Sequence, residues 1–355
     1  MSTDKANSSV FRIIDANINR LGEGLRVIED LARMILNDSN LTQQIKTLRH
    51  SLIRRDTSLD RTLIQARNAE EDVGINLEVN GELKSKDLGG ILVANSRRAQ
   101  ESLRVLEEIS KLHDIPLDSE KYKQARFTLY TLERNLISRL FKHDKIKILK
   151  GLYVIIDTSF LNGRSHIEIA RKVIDGGAKI IQLRDKTTSR RVLFTIACEL
   201  KELCSKNDVL FIINDYLDLA LAVDADGLHI GQHDLPLSII KKLLPIDKII
   251  GCSASNLEQA IAAEAEGADY IGFGAIYPTT SKIDYELAGL NALKQVTKSV
   301  NIPIVAIGGI DNHNIKEVMK TGSKAAAVIS AVLQADDPEV ATRNFIGLIN
   351  NEQVY

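Results

Sequence analysis

Eight short apolar runs, each followed by an amphipathic segment, constrain the fold of this chain more than any other feature. The runs are residues 152–156, 179–183, 209–213, 227–230, 248–251, 270–273, 303–307 and 325–329. Each run is too short for a helix, so a buried parallel strand is the better assignment. The segments between them have helical spacing, as in Leu257, Ile261 and Ala265. Eight strand–helix units in about 200 residues predict a TIM barrel.

The first part of the chain has a helical pattern and contains an internal repeat. Asn17, Arg20 and Glu23 recur as Asn95, Arg98 and Glu101, at a constant offset of 78 positions, and the apolar residues around them recur as well. Two copies of a two-helix unit predict a pseudo-symmetric bundle. The predicted fold is therefore α/β, with an all-α helical-bundle domain at residues 1–146, of no predicted function, followed by a (β/α)8 TIM barrel at residues 147–355.

The repeated polar residues leave two interpretations open. Their spacing of three places each trio along one helix face. Residues 16–29 and 94–108 form either a ligand pocket at the pseudo-twofold axis or a structural charge network, in which the side chains face solvent or pair between helices.

Composition excludes several classes of protein. Of the 355 residues, 44% are hydrophobic and 26% charged, and the net charge is −1, so neither nucleic acid nor an anionic membrane is attracted overall. Three cysteines without metal-ligand spacing predict a reducing cytoplasm. The start of the chain does not resemble a signal peptide, and no apolar run has membrane-spanning length. The sequence leaves open whether the chain forms a homo-oligomer.

Polar residues follow several predicted strands, at the edge where barrels build their active sites. Asp215 follows the third strand and Asp234 the fourth, and this oxygen-rich corner suits Mg²⁺ carrying a diphosphate. The alternative is that both aspartates cap the next helices. Alternation along the second strand places Gln182, Arg184 and Lys186 on one side, at the mouth of the barrel.

A second anion-binding zone is predicted at the ends of strands six to eight. Gly308 and Gly309 follow the seventh strand, where backbone N–H groups of barrels hold phosphate. A tight turn is the alternative for this glycine pair. His229 lies inside a strand, so we expect a packed residue rather than a ligand.

Taken together, the motifs closely resemble the thiamine-phosphate synthase family. They are QLRDK, FIINDYLDLALAVDADGLHIGQHD, GCSAS, ADYIGFGAIYPTTSK, IPIVAIGGI and AVIS, and they span the chain from about Leu152 to its end in the order and spacing of that family. The resemblance implies a transferase that joins a hydroxymethylpyrimidine diphosphate to a thiazole phosphate carboxylate and releases pyrophosphate and CO₂.

The resemblance also implies residue roles. The implied pyrimidine diphosphate site is Gln182, Arg184, Lys186, Asn214, Ser253 and Lys282. The implied Mg²⁺ ligands are Asp215 and Asp234, and the implied thiazole phosphate site is Thr279, Ser281, Gly309, Ile329 and Ser330. Two departures stand out: Ala275 replaces a usual proline, which we expect to loosen the loop slightly, and Ser281 replaces a usual threonine but keeps the hydroxyl.

The implied reaction needs no protein nucleophile. An electron-donating amino group lets the pyrimidine lose diphosphate to leave a stabilised cation, so catalysis is stabilisation of the leaving group. The alternatives are a related thiazole tautomerase on the same barrel and a non-catalytic barrel that serves as a scaffold.

Overall fold

A computed structural model describes residues 3–53, 57–68, 87–281 and 285–350 of the chain. Its contacts form two compact units, Met1–Phe141 and Lys142–Tyr355. The sequence pattern predicts a boundary after residue 146. The difference has a physical reason, because Lys142 Nζ donates a hydrogen bond of 2.8 Å to the carboxylate of Asp269, and both residues are buried.

The first unit is helical, and its two long repeated helices pack on each other. The helices are α1 (Thr3–Asp30), α2 (Ser39–Ile53), α3 (Thr57–Ala66), α4 (Leu88–Ile109) and α5 (Ser119–Ile148), and a π-helical turn at Leu31–Ile35 follows α1. The last residues of α5, from Lys142, belong to the second unit. In α1, Ile14, Ile18, Leu21 and Leu25 form one buried stripe. A Cβ on Gly24 would lie 3.0 Å from Asn95 O, so glycine eases the close approach of α1 and α4 at this position.

The repeat places equivalent ion pairs in the two halves of the bundle. Glu29 is 3% exposed and accepts a hydrogen bond of 2.8 Å from Arg49 Nε. Glu107 is 4% exposed and accepts one of 2.9 Å from Arg126. By contrast, the repeated residues Arg20, Glu23, Arg98 and Glu101 are exposed. The interhelical ion pairs of the repeat are therefore made by Glu29 and Glu107.

The second unit is a closed parallel barrel, which confirms the predicted fold. Its strands are β1 (Gly151–Asp157), β2 (Ile180–Arg184), β3 (Leu210–Asn214), β4 (Gly227–Ile230), β5 (Ile249–Ala254), β6 (Tyr270–Phe273), β7 (Ile304–Ile307) and β8 (Ala325–Val328). Each strand pairs with the next along the chain, and β8 pairs with β1. A short 3₁₀ turn, Thr158–Phe160, follows β1.

Helices surround the barrel. They are α6 (His166–Asp175), α7 (Arg190–Lys206), α8 (Leu217–Ala222), α9 (Leu237–Leu243), α10 (Leu257–Glu266), α11 (Gly289–Ser299), α12 (Ile315–Lys320), α13 (Ser330–Leu333) and α14 (Pro338–Asn350). Within the described ranges, none of the helices is both long and apolar enough to cross a membrane.

Alternation along the strands separates two apolar cores in this unit. Side chains such as Val154 and Phe211 belong to the core between the strands and the helices. Side chains such as Tyr153, Ile180 and Tyr270 belong to an inner core within the barrel. Because alternate residues face inward, the last inward residue of each strand lies at the mouth, where the polar residues are.

Candidate active site

Two aspartates form an acidic corner at the mouth. Asp215 directly follows β3 and has a left-handed backbone with φ 62°, a conformation that Asp tolerates better than most residues. Burial raises the pKa of Asp215 to about 6, and the hydrogen-bonded carboxyl group of Asp234 adds to this rise. The two carboxyl groups therefore lie side by side, although 18 residues separate them in the sequence.

Neither aspartate caps the helix that follows it. Tyr216 and Pro236 precede α8 and α9, and neither makes a side-chain capping hydrogen bond. Asp234 Oδ2 instead accepts a hydrogen bond of 2.6 Å from Gly231 N, which holds its carboxylate in the loop after β4. The alternative that both aspartates cap the next helices is therefore not observed.

Two cations lie at the end of β2, and one of them, Lys186, faces this corner. Lys186 Nζ lies 3.5 Å from Asp215 Oδ2, and the lysine side chain is 57% exposed. Arg184 donates a hydrogen bond to Asp157, the last residue of β1, and the strands pair at these two positions. A buried carboxylate thus orients the guanidinium, while Lys186 stays accessible to a ligand.

Asp185, between these cations, points the other way and anchors the loop. Its carboxylate accepts hydrogen bonds of 2.8 Å from the backbone of Thr187 and of Thr188, and one of 2.5 Å from Thr158 Oγ1. Burial alone would raise the pKa of Asp185, but these hydrogen bonds outweigh it and lower the pKa to about 2.

Three more residues implied for the pyrimidine site, Gln182, Asn214 and Ser253, lie on three strands. Gln182 is buried and donates a hydrogen bond of 2.8 Å to Tyr153 Oη, one layer below Arg184. Asn214 ends β3 beside His229 of β4. Ser253 Oγ, on β5, hydrogen-bonds His229 Nε2 at 3.0 Å. His229 is thus a hydrogen-bonded residue inside the barrel, as expected, and burial lowers its pKa to about 4, so the imidazole is neutral at pH 7.

The second zone lies at the ends of β6, β7 and β8. A Cβ on Gly309 would lie 2.4 Å from Pro278 O, so the approach of the two loops requires glycine at this position. Thr279 Oγ1 accepts a hydrogen bond of 3.2 Å from Ser281 N, which holds these two residues in one turn. Ile329 and Ser330 come directly after β8, beside β7 in the barrel. The fold thus brings Thr279, Ser281, Gly309, Ile329 and Ser330 to neighbouring strand ends.

The base of the loop after β6 is closed by backbone hydrogen bonds at Ala275. Ala275 N donates to Glu286 O at 3.2 Å, and Ala288 N donates to Ala275 O at 2.8 Å. A proline here would lack the first of these donors. We expected alanine to loosen the loop slightly. Instead, its backbone N–H adds a hydrogen bond that closes the base of the loop. Lys282, implied for the pyrimidine site, lies outside the described residues.

The acidic corner fits a magnesium ion that shares its coordination with a substrate. Mg²⁺ in proteins is commonly held by one or two carboxylates together with substrate phosphates and water. Asp215 and Asp234 supply two carboxylates, and a cation between them would relieve the repulsion that helps to raise the pKa of Asp215. Among the described residues, no group of three or more His, Cys, Asp or Glu could hold a metal by itself.

Several residues at the site escaped the sequence analysis. Asp157 and Asp185 orient the two ends of the β2 loop, Tyr153 contacts Gln182 from below, and Tyr270 contacts His229. One signal was available, namely a tyrosine in each of two predicted buried strands, β1 and β6. Their partners could not be identified, because they lie on strands distant in sequence.

Comparison with known proteins gives a consistent result for the whole chain. Residues 152–332 match the family model described as thiamine monophosphate synthase, and residues 12–135 match the ThiD2 family. The chain is 39% identical over 349 residues to the thiamine-phosphate synthase of Nostoc punctiforme, covering 98% of this chain and 96% of the relative. It is 38% identical to that of Synechocystis, covering 96% of each.

A solved structure resembles the barrel. It is a thiamine phosphate pyrophosphorylase from Pyrococcus furiosus, with a TM-score of 0.54 and 40% identity. The match covers 59% of this chain and 98% of that one.

Proposed function

The chain belongs to the thiamine monophosphate synthase family, and from that premise we propose which side chains carry the reaction and how. The protein is a transferase that makes thiamine phosphate. The reaction joins the pyrimidine diphosphate to the thiazole phosphate carboxylate and releases pyrophosphate.

Asp215 and Asp234 hold Mg²⁺ in this proposal. The observation that carries it is the paired acidic corner, with Lys186 Nζ 3.5 Å from Asp215 Oδ2 and the pKa of Asp215 raised to about 6. When bound, the ion supplies Lewis-acid stabilisation of the diphosphate oxygens. The carboxylates fix its place beside the cations of the β2 loop.

Arg184, Lys186 and Lys282 bind the diphosphate and stabilise the negative charge that grows as it departs. Arg184 is held by Asp157, so its guanidinium needs no reorganisation during the reaction. Gln182, Asn214 and Ser253 bind the pyrimidine ring. Because the amino group of the ring stabilises the cation that remains, no nucleophilic side chain is required.

Thr279, Ser281, Gly309, Ile329 and Ser330 bind the thiazole phosphate. Holding this phosphate at the β7–β8 end of the mouth directs the thiazole nitrogen toward the pyrimidine carbon that loses diphosphate. Orientation of this kind converts a bimolecular step into an effectively unimolecular one.

The test is pyrophosphate release, measured with both substrates, with each alone, and with and without Mg²⁺. We expect release to require both substrates and the metal, and Arg184→Ala or Lys186→Ala to lower kcat about 10²–10³-fold. Lys179→Ala, just before β2 at the opposite end of the barrel, is the matched control and should leave kcat unchanged. Full activity of Lys186→Ala without Mg²⁺ would contradict the assignment. A tautomerase would convert the thiazole without releasing pyrophosphate.

A cytoplasmic location is also part of the proposal. Cytoplasmic thiols stay reduced, and Cys198, Cys204 and Cys252 are all free in the structure.

A further inference from the structure

Five side chains form a continuous hydrogen-bonded chain through the interior of the barrel. Gln182 Nε2 donates to Tyr153 Oη at 2.8 Å, and Tyr153 Oη lies 3.1 Å from Tyr270 Oη. Tyr270 Oη lies 3.1 Å from His229 Nδ1, and His229 Nε2 lies 3.0 Å from Ser253 Oγ. The two ends of this hydrogen-bonded chain are residues of the proposed pyrimidine site.

The three middle residues lie outside that site, and their strands are distant in sequence. Tyr153 is on β1, His229 on β4 and Tyr270 on β6, and the tyrosines are 1% and 0% exposed. Burial raises the pKa of both phenols, so each keeps its proton and can donate one hydrogen bond.

Glycines on the neighbouring strands make room for the two central rings. Gly251 pairs with His229 on one side and with Tyr270 on the other. A Cβ on Gly251 would lie 2.1 Å from the Tyr270 ring and 2.5 Å from His229 Nδ1. A Cβ on Gly272 would lie 2.8 Å from His229 Cε1. The contact between these rings is therefore permitted only by the absence of side chains at two inward positions.

The chain of hydrogen bonds has a direction, because each hydroxyl and the neutral imidazole donate only one proton. When Gln182 donates to Tyr153, the phenols donate onward to Tyr270 and to His229 Nδ1. His229 Nε2–H then donates to Ser253 Oγ, so the Ser253 hydroxyl keeps its own proton for a further acceptor. If the Gln182 amide were rotated by 180°, the direction of all four hydrogen bonds would reverse. Gln182 and Ser253 would then each offer the opposite hydrogen-bonding group, donor or acceptor, to a ligand.

We propose that Tyr153, Tyr270 and His229 are positioning residues that fix the donor and acceptor pattern which Gln182 and Ser253 present to the aminopyrimidine. An aminopyrimidine carries donors on its amino group and acceptors on its ring nitrogens. A glutamine free to turn over would offer the wrong pattern half of the time. This inference rests on the proposed role of Gln182 and Ser253.

Tyr270→Phe tests the inference, because it removes one oxygen from the middle of the hydrogen-bonded chain and keeps the ring. We expect the KM for the pyrimidine diphosphate to rise about tenfold, with the KM for the thiazole phosphate within about twofold of the original. Tyr153→Phe, which breaks the hydrogen bond next to Gln182, should likewise raise the KM for the pyrimidine diphosphate and not that for the thiazole phosphate. It serves as the second variant if Tyr270→Phe does not fold. Ile155→Val is the control, a packing change in the same inner core, and should change the two KM values equally or not at all.

A double-mutant cycle separates positioning from packing. In a Gln182→Ala/Ser253→Ala background, Tyr270→Phe should change the pyrimidine KM less than about twofold, because the ends it positions are gone. An undiminished effect in that background, or equal rises in both KM values, would overturn the positioning role. A normal pyrimidine KM in both Gln182→Ala and Ser253→Ala would overturn the site assignment and, with it, this inference.

Discussion

Lys186 Nζ lies 3.5 Å from Asp215 Oδ2, although the two residues follow different strands of the barrel. The lysine is mostly exposed, whereas the carboxyl group is largely enclosed and lies against Asp234. One exposed cation thus offsets only part of the negative charge of this corner. A bound metal ion would offset the rest of this negative charge.

Asp215→Asn and Asp234→Asn should each raise the Mg²⁺ concentration for half-maximal activity by tenfold or more, because one of two anionic ligands is lost. The measurement is a Mg²⁺ titration of pyrophosphate release at saturating substrates. Asp218→Asn, an exposed carboxylate in the first turn of α8, is the control and should leave the titration unchanged. Normal Mg²⁺ dependence in both site variants would show that the metal is held elsewhere.

Asp185 should contribute stability that depends on pH. Its pKa is lowered from 3.8 to about 2 in the folded protein, so the folded state favours the charged form. The contribution, roughly 2 kcal/mol, is fully present above about pH 4 and is lost as the pH falls toward 2. Denaturant unfolding between pH 6 and pH 2.5 should show Asp185→Asn destabilised at pH 6, with the difference narrowing below pH 4. Asp175→Asn, which is exposed, should follow the parent protein, and a constant difference for Asp185→Asn would refute the linkage.

Lys142 should stabilise the barrel unit. Asp269 is 3% exposed and would lose its cation in a chain that begins at Lys147. A chain that begins at Lys142 should therefore keep synthase activity and unfold at a higher temperature than one that begins at Lys147. In the full chain, Lys142→Met should lower the Tm, whereas Lys147→Met should not, because Lys147 is 65% exposed. Equal melting temperatures for the two truncated chains would contradict the prediction.

Glu29 and Glu107 should contribute similar amounts to the stability of the helical unit. Glu29→Gln and Glu107→Gln each replace a buried carboxylate that accepts from an arginine of another helix, so each should cost about 2 kcal/mol in chemical unfolding. Glu23→Gln and Glu101→Gln, on the exposed face of the same helices, should cost less than about 0.5 kcal/mol. Comparable losses at all four positions would mean that the exposed repeat residues also have structural partners.

Much of the architecture followed from local patterns. The runs around Ile155, Phe211 and Ile271 predicted buried strands because parallel strands with both faces covered are continuously apolar. Their ends matched the observed strands within about two residues. The departures concern contacts that no periodicity encodes, such as those of the last part of α5, which belongs to the barrel unit from Lys142 onward.

The sequence by itself determined the eight-strand barrel, the repeated helical unit and the residue types at each strand end, because burial of alternating and continuous apolar runs is a local property of the chain. Only the tertiary structure decided which side chains meet. Asp215 joins Asp234, Lys142 reaches Asp269, and Tyr270 lies between Tyr153 and His229. The reason is that closure of the barrel brings together residues from strands distant in sequence. The space left by Gly251, for example, is filled by His229 and Tyr270 only when the two neighbouring strands are in place.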